Sequence, residues 1–220
     1  MHYPIFNSIV NTIELQLVKR GIQSSIFKTW KDNKIHAIGL ELGIELSDIA
    51  NFISSLAINF DWDSFRETAV AQRMDGMKKH PLLKVKELSK IEVLPIIDIE
   101  LMWVFDIDTC QPQQFDKEGN YRINEASRWM ELISKKINET LRNENIITRW
   151  HLEIEGDDQG KYLSAINLIS YFQYELGTAK NLNELKIYVS RQLNDLLLKS
   201  NRVIAMSESI LSKTVGASVK

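Results

Sequence analysis

Asp106 and Asp108 flank Ile107, so on an extended backbone both carboxylates leave the same face of the chain. Asp157 and Asp158 follow Glu155 and Gly156 at the end of a second alternating segment. Hard divalent cations take oxygen ligands, and two-metal phosphoryl transfer gathers carboxylates from neighbouring strand ends. Asp106, Asp108, Glu155 and Asp157 are therefore the candidate catalytic set. Asp106, Asp108 and Asp157 are the candidate ligands for Mg²⁺ or Mn²⁺ in an enzyme acting on a nucleotide or nucleic acid. The competing reading is an antiparallel sheet with one solvated acidic face, which needs no cofactor. A D-x-D is short and common, and that second reading is the preferred one.

These acids must be positioned by the segments that carry them. Ile97–Asp108 alternates, with Ile97, Ile99, Leu101, Trp103, Phe105 and Ile107 on one face. Ile146–Glu155 alternates in the same way through Trp150, Leu152 and Ile154. If the two pair, their acidic faces coincide, and Trp103 and Trp150 are expected to be buried near one another. Gln114–Ile123 reads as a small hairpin turning at Glu118-Gly119-Asn120. Lys161–Leu176 fits either period, and its length favours a helix. Were it a strand, the order β-α-β-β-α would be similar, at fold level only, to the palm-like arrangement of nucleotidyl transferases and cyclases.

Helices fill the remainder of this reading. Pro4–Arg20 repeats Ile5, Ile9, Ile13 and Leu17, with Gly21 as the stop. Ser25–Trp30 continues the helical region, and Trp62–Lys79 forms a further helix ending at His80-Pro81. Asn124 caps a helix carrying Trp129, Ile133, Ile137 and Leu141. Leu182–Leu211 is a long amphipathic helix whose stripe weakens at Ser200-Asn201, and part of that stripe is expected to meet a partner chain or a second subunit. The expected fold is α+β and predominantly helical, with a small central sheet: strands near 97–108 and 146–155 and a candidate hairpin at 114–123. A helical N-terminal region, 1–90, precedes an α+β region, 91–220, with a soft boundary near Lys90.

Other motifs carry less. Ile38, Leu42, Ile44, Ile49 and Phe52 match the core spacing of a helix-turn-helix, with Gly43 at the turn. Yet no Lys or Arg occurs from Ala37 to Asp63, and phosphate contacts dominate DNA affinity. His151 and Glu155 in WHLEIEGDDQG resemble, over those residues, the metal-binding helix of haem-oxygenase-like iron proteins. Gln159 stands where a second His is needed, and the segment alternates like a strand. GDDQGK lacks Walker spacing, and its aspartates oppose phosphate. Cys110 has no activating neighbour in sequence, and Lys78-Lys79-His80 is the one basic run.

Composition sets the outer bounds. With 27 basic and 29 acidic residues the net charge is −2, which supplies no global field for nucleic acid. One cysteine fits a reducing compartment, and the N-terminus lacks the cationic lead of a signal peptide. No apolar run approaches a membrane span. The expectation is a cytoplasmic protein-interaction or regulatory module without catalysis, binding a protein partner or its own copy through the C-terminal helix. A divalent-metal enzyme is the alternative, and helix-turn-helix DNA binding the third reading.

Overall fold

Ile5, Ile9, Ile13 and Leu17 recur on one helical face, and all are buried in helix α1, Pro4–Lys19. The helix stops as its sequence dictates. Gly21 adopts φ 67°, Ile22 N–H donates to Leu17 O and Gly21 N–H to Val18 O, both at 3.0 Å. That pair of bonds is a Schellman closure, which needs the left-handed residue glycine supplies.

In the computed structural model the described residues are 4–32, 37–62, 96–110, 131, 133–141, 149–175 and 181–215. After α1 come strands β1 (Ile26–Asp32), β2 (Ala37–Glu45), β3 (Ile53–Trp62) and β4 (Ile96–Phe105). A single turn, α2 (Ile107–Cys110), follows, and a helix α3 covers 133–141. Strands β5 (Trp150–Gly156) and β6 (Leu163–Glu175) lead into the long helix α4 (Leu182–Val215). The strands form one six-stranded sheet in the order β1-β2-β3-β4-β6-β5.

This corrects the expected helix-dominated fold with a small sheet. The fold is α+β, but among the described residues strand and helix are nearly balanced, at 40% and 44%, and the sheet is antiparallel. Ser25–Trp30 belongs to β1, and Ile38–Ile53 is β2, a turn and the start of β3. A recognition helix is therefore absent from that segment. Trp62 ends β3 instead of opening a helix, and residues 63–79, the 114–123 hairpin and the Lys90 boundary lie outside the described residues. The reason lies in spacing. Along β2, Ile38, Leu40, Leu42 and Ile44 are buried and fall on every second residue, with Gly39, Glu41, Gly43 and Glu45 between them, a strand period that the helix-like step from Ile38 to Leu42 masks.

Two further expectations change. The segment expected as a helix over Lys161–Leu176 instead carries strand β6, Leu163–Glu175, in which Ile166, Asn167, Leu168, Ile169 and Ser170 are buried on both faces. β4 and β5 are strands near the expected positions, yet β6 lies between them, so they do not pair. Trp103 is fully buried, whereas Trp150 on edge strand β5 is only half-buried.

The chain divides into two compact units. The first takes Met1–Leu42, Asn59–Ile99 and Phe172–Leu197. Its core gathers Ile9 and Ile13 of α1, Phe60, Ile97 and Ile99 of the sheet, and Val189, Leu193 and Leu196 of α4 around a void of about 20 Å³. Trp62 meets the Phe6 ring edge-on at 5.2 Å. Tyr174 donates its hydroxyl to Asp195 Oδ2 at 3.2 Å.

The second takes Gly43–Ile58, Glu100–Tyr171 and Leu198–Lys220. Here Trp103 Nε1 donates to Ser200 Oγ at 3.0 Å, which explains why the α4 stripe turns polar at Ser200. Glu208 accepts the backbone N–H groups of Asn51 and Phe52 at 3.0 and 2.7 Å, so α4 fastens the β2–β3 turn.

Candidate functional site

Asp106 follows β4, and its Oδ1 accepts the Thr109 N–H at 3.1 Å, the N-cap bond of α2. Asp108 lies in the first turn of that helix. Asp157 closes the β5–β6 loop: its Oδ1 accepts Lys161 N–H at 2.7 Å and Tyr162 N–H at 3.1 Å. Those two backbone donors, Tyr162 first, hold the Asp157 carboxyl below its ordinary range. Gly160, at φ 64°, makes the turn. Glu155 accepts Asn167 Nδ2 at 2.6 Å.

The β5–β6 register pairs Trp150 with Ser170, Leu152 with Leu168 and Ile154 with Ile166, leaving His151, Glu153 and Glu155 on the opposite face. Tyr171 joins them there, its ring stacked on His151 with centroids 5.8 Å apart. Partial desolvation raises the Tyr171 phenol, and Glu100, which shares a hydrogen bond with it, and Glu153 raise it further. His151 and Glu155 share a strand face, but four residues of strand separate their Cα atoms by about 13 Å. Helical spacing would have made them neighbours. Among the described residues, no group of three or more His, Cys, Asp or Glu is placed to hold a metal ion.

A different feature is assembled by the helices of the first unit. The outward side of α1 from Ser8 to Arg20 and that of α4 from Lys186 to Asn194 border an open cleft of about 540 Å³. Leu15 and Lys19 recur at helical spacing on one wall, Ile187 and Arg191 on the other. Arg20 Nη2 donates to Asn194 Oδ1 at 2.7 Å, tying the two walls together. Lys19, Arg20, Lys186 and Arg191 all line the cleft, and among the described residues no carboxylate does. Leu15 is 58% exposed and Ile187 46%, each on the polar side of its helix.

No family model, curated protein or solved structure matches the chain. None of the described helices is long and apolar enough to cross a membrane.

The α4 stripe expected to meet a partner is covered: Leu185, Val189, Leu193, Leu196 and Val203 are all buried. The cleft lies on the side of α4 away from that stripe, and sequence reasoning missed it. Its cations come from opposite ends of the chain, so no basic run marks them. The available signal was Leu15 and Ile187, large apolar residues on otherwise polar helix faces.

Proposed function

We propose that the protein is a non-catalytic interaction or regulatory module of the cytoplasm that docks a partner protein in the α1–α4 cleft. The observation that carries this reading is the joining of two exposed apolar side chains, Leu15 and Ile187, to four cations without a carboxylate among the described lining residues. Exposed apolar surface rimmed by charge is the usual composition of a docking surface. The partner is a protein segment whose acidic side chains answer the four cations. The long side chains of Lys19, Arg20, Lys186 and Arg191 are exposed, so the cleft is an open trough suited to a macromolecule more than an enclosed ligand site. Asp106, Glu155 and Asp157 each accept a hydrogen bond that serves the fold, which favours structural roles for the acids of the competing metal reading.

Site-specific photo-crosslinking in the source cell tests this. A photoreactive residue at Ile187 should trap a protein that a probe at Ile49, itself 72% exposed, does not. That protein, purified, should bind the full chain saturably and lose binding when Lys186→Glu and Arg191→Glu are combined. Identical adducts from both positions, a nucleic-acid adduct, or a trapped protein that does not bind would overturn the reading.

A further inference from the structure

We infer that the α1–α4 cleft is built for an acidic, amphipathic helix, an inference that rests on the docking reading above and names its partner's chemistry. Three properties of the cleft converge on that occupant.

The first is charge. Lys19 and Arg20 on α1 and Lys186 and Arg191 on α4 gather four positive charges around one trough. The chain as a whole carries −2, so this concentration is local and opposite in sign to the molecule. Like charges held together repel, and an occupant with carboxylates relieves that repulsion while gaining its own attraction. Such a field steers an acidic segment to the cleft and turns a basic one away.

The second is the interleaving of apolar and cationic positions. Leu15 lies one helical turn before Lys19, and Ile187 one turn before Arg191. A ligand that used charge alone, such as inorganic phosphate or a nucleic-acid backbone, would leave both apolar side chains unused. A helix with Leu-like residues on one face and Glu or Asp flanking them would use both sets.

The third is shape. The walls are two helices, so the cleft presents no strand edge with free N–H and C=O groups for an extended peptide to extend. That leaves the helix-in-groove mode, in which anchors at i, i+3, i+4 and i+7 meet a trough between helices. From Ser8 to Lys19 the α1 wall is about 17 Å long, the span of about three helical turns of an occupant.

The test uses the full chain and fluorescein-labelled 18-residue peptides in anisotropy titrations. The probes are an acidic amphipathic helix of Glu and Leu, the same composition shuffled to destroy the face, and a Lys/Leu counterpart of the first. The amphipathic acidic peptide should bind at least about tenfold more tightly than either control, and about tenfold more weakly at 0.5 M salt than at 0.05 M. Ile187→Glu, or Lys186→Glu with Arg191→Glu, should weaken it by tenfold or more. These side chains are exposed, and an unchanged circular-dichroism melt shows that the variants stay folded. Equal binding by the shuffled peptide, or displacement by a single-stranded DNA 20-mer at comparable concentration, would overturn the inference. Equal cleft binding by the shuffled acidic peptide would leave the docking reading standing, whereas preferential binding by the Lys/Leu peptide would overturn both. Acidic-peptide binding indifferent to all three substitutions would overturn both.

Discussion

Ser200→Ala is the sharpest probe of the second unit, because it removes one atom with one identifiable role. Trp103 is 0% exposed and Ser200 1%, and the indole N–H donates to the serine oxygen at 3.0 Å. After the substitution the indole proton has lost that acceptor in a site that water does not reach. An unsatisfied buried donor costs about 1–3 kcal/mol, while the alanine itself suits the helix slightly better than serine. The net expectation is a loss of about 2 kcal/mol, or about 4–8 °C in Tm for a chain of this size. Urea unfolding followed by far-ultraviolet circular dichroism measures it, with Ser212→Ala on the exposed side of α4 as a control expected within about 0.5 kcal/mol of the parent. In a Trp103→Phe background, the same Ser200→Ala change should cost less, because the orphaned donor no longer exists. A Ser200→Ala variant as stable as the parent would refute the assignment of that bond as the reason for a polar residue in the stripe.

Other expectations follow from single contacts. Gly39→Ala would drive a Cβ into the Trp30 ring, so it should destabilise by about 1–3 kcal/mol by overpacking, measured by the same unfolding curves. Asp157 has a depressed folded-state pKa, so the stability it contributes is present above its unfolded pKa and is lost as pH falls through the folded one. Wild type and Asp157→Ala should converge in stability on acidification, and a gap that widens instead would be wrong in sign. Adding Mg²⁺ or Mn²⁺ should leave the melting temperature unchanged, and Asp106→Asn with Asp108→Asn should be neutral or slightly stabilising; a metal-dependent rise abolished by that double change would favour the enzymatic reading.

How much of this was legible in the sequence depends on whether an element buries one face or two. α1 buries one stripe and ends at a glycine, and α4 buries one stripe, so both can be read directly. β4 alternates strictly because Ile97, Ile99, Leu101, Trp103 and Phe105 face inward while the residues between them are only half-buried. The middle of β6 is buried on both faces, so its sequence loses the two-residue period and imitates a helix. β2 keeps that period at Ile38, Leu40, Leu42 and Ile44, but the four-residue step from Ile38 to Leu42 also matches helix-turn-helix spacing and hides the strand. Strand order was beyond reach for another reason: β6 enters between β4 and β5, and nothing local in a strand's sequence specifies its neighbour. The acids of the candidate metal set lie close to strand ends as expected, but their partners are local backbone and amide groups that a residue pattern does not reveal. The cleft needed the fold itself, since Lys19 and Arg191 become neighbours across one trough only once α1 and α4 lie side by side.

We propose that function resides in the α1–α4 cleft and not on the acidic sheet face. Amide chemical-shift mapping on the nitrogen-15-labelled full chain, titrated with the acidic amphipathic peptide, tests it most directly. Shifts should concentrate at residues 8–20 and 186–194, with His151, Glu153 and Tyr171 unmoved. Shifts centred instead on those sheet residues, or on the Asp157 loop, would contradict it.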